Sequence, residues 1–192
     1  VIKMKLIVFD VETTGLPRYR NMSPKNYENW PFIVQFSWII CNDNKNTEKS
    51  YIIKPSGYTI PIESTKIHNI SHEYAEKKGV DINNVIREFI NDCKGSIMVA
   101  HNADFDTNVL LANCYRYNIN HGVFKNQKII CTMKKTTDIC KLPGKYGYKY
   151  PRLEELHFYL FNENPNLKMH DSLNDSRITL KCFKELCNKK LL

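Results

Sequence analysis

Lys5–Val11 reads Lys-Leu-Ile-Val-Phe-Asp-Val and runs into Glu12, Thr13, Thr14, Gly15, Leu16 and Pro17. Aliphatic and aromatic residues fill the run and a Thr-Thr-Gly-Leu-Pro turn closes it, which predicts a buried, central β-strand. Side chains alternate across a strand, so Asp10 and Glu12, two residues apart, point to one face. Burying two carboxylates in a central strand is costly unless something compensates them. Two readings follow. Either the strand frays at Phe9 and both acids are solvated, or they hold a divalent cation, since Mg²⁺ takes oxygen ligands and commonly one or two carboxylates.

Working outward, a polar Asn-, Pro- and Ser-containing loop from Arg18 to Pro31 precedes a second strand at Ile33 to Cys41. A polar turn over residues 42–46 leads to a third strand at Glu48 to Ile53, so the first three strands form an antiparallel meander. The pattern then changes period. Ile82, Val85, Ile86, Phe89, Ile90 and Cys93 fall on one helical face, and Gly95 ends that helix. A strand at Ser96 to His101 feeds a helix from Ala103 to Tyr117, and this alternation implies parallel pairing. Ile129 to Cys131 reads as one more strand, and Leu153 to Leu160 and Asp171 to Asn188 as helices.

Composition narrows the class. At 192 residues and 42% hydrophobic content the chain fits a single domain spanning 1–192. No apolar run approaches the ~18 residues a membrane helix needs. No signal-peptide pattern opens the chain, and Val1 in place of Met is expected of a chain trimmed or cut from a longer one. Seven cysteines, an odd number without C-x-x-C spacing, predict reduced thiols in an intracellular compartment, cytoplasmic or nuclear, and disfavour structural zinc. The net charge is +8, and Lys125 to Arg152 alone carries eight basic residues against Asp138. There Lys145, Lys149 and Arg152 alternate with Tyr146, Tyr148 and Tyr150, cations beside flat rings that suit a single-stranded nucleic acid. A solvated basic loop is the alternative.

Two further fragments carry chemistry. His101-Asn102-Ala103-Asp104-Phe105-Asp106 lies where a buried strand runs into a helix, and His170-Asp171-Ser172-Leu173-Asn174-Asp175 where the last helix begins. Taken singly, each acid reads as a helix cap or first-turn residue.

In this order and at these distances, Asp10-x-Glu12, His101-Asn102-Ala103 with Phe105-Asp106, and His170-x-Ser-x-x-Asp175 resemble the DEDDh branch of the 3′-to-5′ exonucleases. That branch includes the proofreading subunit of bacterial replicases and ribonuclease T. The resemblance covers about residues 5 to 188 and extends to Ile67-His68-Asn69-Ile70-Ser71 and Leu153-Glu154-Glu155-Leu156. The family usually has Gly at Asn69, Ala at Ser172 and often an acid at Cys131, and none of these departures removes a metal ligand.

The resemblance implies an α/β, ribonuclease H-like fold: a mixed five-stranded sheet, three strands antiparallel and the rest parallel, with helices on both faces. It implies a two-Mg²⁺ site, open also to Mn²⁺, in which Asp10, Glu12 and Asp175 hold one ion, Asp10 bridges to the second and Asp106 holds that ion directly or through water. His170 would be the general base, and His101 a structural histidine. Thr13, Thr14, Leu16, His68 and Phe105 would meet the terminal nucleotide. The expected substrate is the 3′ end of single-stranded or frayed DNA, favoured over RNA, with nucleoside 5′-monophosphates released. An exoribonuclease, a binding module without catalysis and a domain working with a polymerase or replication partner are the competing readings.

Overall fold

The computed structural model describes residues 5–42 and 45–192. Strands β1 (Lys5–Thr13), β2 (Ile33–Cys41), β3 (Asn46–Ile52), β4 (Ser96–Ala100) and β5 (Lys128–Cys131) form one sheet in the order β3-β2-β1-β4-β5. β1 lies at its centre, antiparallel to β2 and parallel to β4. β3 continues the meander and β5 the parallel half. The turn expected over 42–46 falls partly outside the described residues.

Alternation along β1 divides the molecule into layers. Ile7, Phe9 and Val11 face a core with Phe36 and Trp38 of β2 and Ile82, Val85, Ile86 and Phe89 of α3 (Ile82–Cys93), and α4 (Ala103–Arg116) adds Val109 and Leu110. Val8 faces the other way, with Ile39 and Val99, onto Leu180 of α7 (Ser172–Asn188). α6 (Leu153–Phe161) packs Leu153, Leu156 and Leu160 against Ile178, Cys182 and Leu186 of α7. Asp10 and Glu12 therefore belong to the α7 face. All seven cysteines are free thiols, and no helix among the described residues is long and apolar enough to cross a membrane.

The 125–152 stretch departs from the basic loop expected there. After β5 it forms a helix, α5 (Thr132–Cys140), then a minimal hairpin of β6 (Pro143–Gly144) and β7 (Gly147–Tyr148). α5 buries Thr132, Thr136 and Cys140, a stripe at every fourth position built from threonines. Two short helices, α1 (Ile62–His68) and α2 (His72–Lys78), precede α3. Asn69 ends α1 at φ 63°, which explains why glycine suits that position and why Asn, tolerant of left-handed backbone, replaces it.

Residues 14–32 also fold more firmly than a polar loop would suggest. Asn29 clasps Tyr19, accepting from its N–H at 2.8 Å and donating to its carbonyl at 2.9 Å. Arg116 of α4 donates to the carbonyls of Tyr27 and Trp30 at 2.6 and 2.7 Å and lies 3.9 Å from the centre of the Phe32 ring. Asn113 adds a bond to the Pro31 carbonyl at 3.2 Å.

Candidate active site

β4 pairs with β1 only as far as Val8–Val99 and ends at Ala100, so Asp10 and Glu12 run past their parallel neighbour. The notch this leaves is the end of a parallel strand, where α/β sheets place their ligands. The first turn of α4 enters it. Beyond the last β4 pair the Val11 N–H donates to Asp106 Oδ1 at 3.3 Å, and Asp106 is almost fully buried. Asn102, left-handed at φ 66°, makes the sharp join from β4 to α4.

From the opposite side comes the start of α7. Asp171 caps it by accepting from the Asn174 N–H at 3.0 Å, and one turn in stands Asp175. Its Oδ2 accepts from the His170 N–H at 3.2 Å, while its buried Oδ1 has no partner. His170 itself is exposed and left-handed at φ 60°. Glu12, His170 and Asp175 present ligand atoms all within 4.8 Å of one another. Asp10, Glu12, Asp106, Asp175 and His170 line one cleft of about 450 Å³.

Burial and crowding raise the proton affinity of these acids. Burial raises Asp10 well above the usual carboxylate range, and the charges of Asp106, Asp175 and Glu12 raise it further. Burial, then Asp175 and Asp106, push Glu12 up to about 8. Burial brings Asp106 to about 8 against the opposing bond from Val11, and Asp175 to about 7 against the bond from His170. An oxygen-rich cluster that repels itself and leaves a buried oxygen unsatisfied fits a hard divalent cation.

The family model for exonucleases matches residues 7–183, nearly the whole chain. The chain belongs to the exonuclease family. The motifs place it in the 3′-to-5′, DEDDh type, a family of hydrolytic nucleases that depend on divalent metal, and Glu12, His170 and Asp175 are a group that could hold such an ion. The PolC-type DNA polymerase III of Streptococcus thermophilus is 29% identical over 113 residues, covering 59% of this chain and 7% of the polymerase. That of Mycoplasmopsis pulmonis is 32% identical over 111 residues, covering 57% and 7%. Exonuclease I from Methylocaldum szegediense superposes with a TM-score of 0.72 at 18% identity, over 98% of this chain and 42% of its own. E. coli Exonuclease I, in complex with a dA16 oligonucleotide, gives 0.74 at 16% identity over the same shares. The chain thus spans a small part of the polymerases and less than half of the solved exonucleases, and its fold is the ribonuclease H-like one.

The remaining residues expected at the exonuclease site are not all in the cleft. Leu16, 75% exposed, and Phe105 line it, as do Tyr150 and Arg152. Thr13 and Thr14 build the turn instead. The Thr13 hydroxyl donates to the Gly15 carbonyl at 2.7 Å, and Thr14 Oγ1 accepts from the Phe32 N–H at 3.0 Å. His68 is buried beside the Thr13 backbone and outside the lining, and its Nδ1 accepts from the Ile70 N–H at 3.1 Å. His101 has both ring nitrogens engaged, by the Thr132 hydroxyl and the Pro151 carbonyl at 2.9 Å each, and burial lowers it to about 4.

Lys145, Tyr146, Tyr148 and Lys149 sit on the hairpin away from the lining. Lys149 pairs with Glu155, and Arg152 with Glu154 and Glu155, so part of the positive charge counted along this stretch is neutralised in place. Lys134 is likewise paired with Asp104.

Gln35 on β2 is the residue that sequence patterning passes over. It pairs with Glu12 in register and is buried. Its Oε1 accepts from the Ser172 N–H at 3.1 Å, and its Nε2 donates to Asp171 Oδ2 at 3.2 Å and to Ser50 at 3.2 Å. Ser172 also bonds the Ser37 hydroxyl at 2.6 Å, which accounts for Ser where Ala is usual. Together these bonds tie the start of α7, and so His170 and Asp175, to the strand beside Glu12. An amide in an alternating strand looks like any surface residue until its partner, 136 positions away, is known.

Two outcomes follow. Gln35→Leu is expected to lower stability by about 1–3 kcal/mol, since it leaves buried groups unpaired. Its effect on turnover should shrink in a His170→Ala background, because both changes strike one arrangement, whereas additive losses in a double-mutant cycle would separate the two residues. The second concerns pH. The folded cluster binds protons more tightly than the unfolded chain, with Glu12 at about 8 against 4.5. Its stability is therefore fully present below the unfolded value and is lost as pH rises toward the folded one. Metal-free protein should melt at progressively lower temperature from about pH 5 to about pH 8, and Glu12→Gln should flatten that fall. Equal slopes in calorimetry would remove Glu12 from the cluster.

Proposed function

We propose that the chain, as one exonuclease domain, removes nucleoside 5′-monophosphates from the 3′ end of single-stranded or frayed DNA with two Mg²⁺ ions, Mn²⁺ substituting. One observation carries this reading: Asp175 Oδ1 is buried without a partner while Glu12 and His170 present ligand atoms to the same space. Asp10, Glu12 and Asp175 would hold one ion and Asp106 the other, with Asp10 shared. When bound, two such ions stabilise charge on the phosphoryl oxygens and the leaving oxygen of an in-line displacement.

The protein's own groups do the rest. His170, exposed at the rim, accepts the proton of the attacking water and passes it to solvent. The His170 N–H bond to Asp175 fixes the backbone that carries the imidazole. His101 is a poor base here, because both nitrogens are occupied. Leu16 and Phe105 form the wall that seats a chain end. The oligonucleotide complex of E. coli Exonuclease I supports single-stranded DNA as substrate, and the PolC-type relatives support a replication setting and a polymerase partner. Seven free thiols are in keeping with a reducing compartment, cytoplasmic or nuclear.

The test is a time course on 3′-labelled single-stranded DNA, duplex DNA and RNA of one sequence. Asp10→Ala should cut turnover by several orders of magnitude, and chelator should abolish activity until Mg²⁺ or Mn²⁺ is restored. His170→Ala should lower the rate by roughly 10²- to 10⁴-fold. If Asp10→Ala keeps more than about a tenth of the wild-type rate, the metal assignment fails. Faster cleavage of RNA would make the enzyme an exoribonuclease.

A further inference from the structure

His170 reaches the cleft on a segment that does not hold itself. Residues 162–171 join α6 to α7 outside any helix or strand, and no backbone-to-backbone hydrogen bond among the described residues involves 163–170. His170 lies near the end of this segment in left-handed backbone, at φ 60°. A non-glycine residue adopts that conformation at a cost, so surrounding bonds must enforce it.

Side chains on one stripe of α7 supply those bonds. Asn174, Arg177 and Lys181 stand three and four positions apart, on one side of the helix. Lys181 serves the far end of the segment. It donates to His157 Nε2 at 3.1 Å and to Glu163 Oε1 at 3.2 Å, while His157 Nδ1 donates to the Glu163 carbonyl at 2.8 Å. Asn174 serves the near end, where its Nδ2 donates to the Lys168 carbonyl at 3.1 Å, two residues before His170. Its Oδ1 accepts from Arg177 Nη1 at 3.1 Å. Arg177 in turn donates from Nε and Nη2 to both carboxylate oxygens of Glu48 on β3, at 2.6 Å for the shortest of these bonds.

The order of donors and acceptors fixes the amide. A guanidinium only donates and a carbonyl only accepts, so the Asn174 oxygen must face Arg177 and its NH₂ must face Lys168. The bond from Arg177 holds the Glu48 carboxyl below its usual range, as a persistent pair requires. In series these links anchor the His170 segment to an edge strand of the sheet. The His170 N–H bond to Asp175 fixes one point of the backbone, and the Asn174 bond fixes a second at Lys168. Two points set the direction of the chain between them, which one point leaves free. We propose that Asn174, oriented by Arg177 and Glu48, is a positioning residue for catalysis, holding the 168–170 backbone so that His170 presents its imidazole at the rim of the acid cleft. This rests on the reading of His170 as general base given above and names what holds it there.

The experiment makes Asn174→Leu and Arg177→Met, singly and together, in the wild-type and the His170→Ala backgrounds. Steady-state cleavage of 5′-labelled single-stranded DNA with Mg²⁺ is followed, and amide exchange is read across residues 163–170 in metal-free protein. Asn174→Leu removes both bonds without altering charge, and Arg177→Met removes the donor that orients the amide. Each should lower kcat about two- to tenfold, the equilibrium worth of one hydrogen bond, and leave KM within about twofold of wild type, because neither side chain lines the cleft. Exchange at 163–170 should quicken by a similar factor while α3 exchanges as before. The double variant should be no slower than Asn174→Leu, since the bonds act in series. In the His170→Ala background neither change should move the rate by more than about twofold, whereas a general loss of folded protein would lower it in both backgrounds. Wild-type kcat in Asn174→Leu, an equal fall in the His170→Ala background, or a rise in KM with kcat intact would overturn the proposal. If His170→Ala by itself keeps the wild-type rate, the assignment of the base fails and the proposal falls with it.

Discussion

Four carboxylates share one cleft because β4 stops short of β1, and the rest of the structure answers the repulsion this creates. Asp10 and Glu12 come from β1, Asp106 from α4 and Asp175 from α7, so separating the four means moving whole elements apart. Backbone N–H groups supply part of the compensation, from Val11 to Asp106 and from His170 to Asp175. These bonds favour the charged forms, yet burial outweighs them and both acids stay raised. The stability that tolerates the cluster comes from elsewhere, chiefly the aromatic core of Phe9, Phe36, Trp38 and Phe89 on the opposite face of the sheet. Period-two alternation lets one strand do both jobs: odd positions of β1 fill the core, and even positions toward its end build the site.

That division is also why so much was legible in the residues. A nearly continuous apolar run identified β1 as buried on both faces, and two acids at its end had to be either solvated or compensated. The Ile82–Cys93 helix was plain because Ile, Val and Phe recur on one face, and its bounds agree with the spacing. The meander followed from alternation and polar breaks. In each case the signal is an apolar period, the quantity that burial acts on directly.

Where burial is achieved by other means, the reading fell short. α5 turns threonines and a cysteine inward, and its hydroxyls bond back to the carbonyls of Thr132 and Met133, so no apolar stripe marks it. The short α1 and α2 escaped for a related reason: each buries only one or two small or polar residues. Charge was misjudged because ion pairs are made in three dimensions. Lys134, Lys149 and Arg152 counted as free cations along the chain, but each folds against an acid. His68 turned its Nδ1, and the two threonines their hydroxyls, to backbone groups outside the cleft lining.

The departures from the family pattern carry the same lesson in reverse. Ser172 would be neutral if only its own helix mattered, but Ser37 and Gln35 make it part of a polar seam joining β2, β3 and α7. Such a seam constrains direction as well as distance, since hydrogen bonds fail when misaligned whereas apolar contacts slide. A site that must hold a histidine in left-handed backbone next to a buried carboxylate gains from that directionality. The same logic extends to residues 14–32, where Asn29 and Arg116 use side-chain bonds to backbone carbonyls to make a firm wall from a segment with almost no regular structure. In this chain, polar fastenings around an apolar frame therefore fix the direction of elements that apolar contacts alone would leave free to slide.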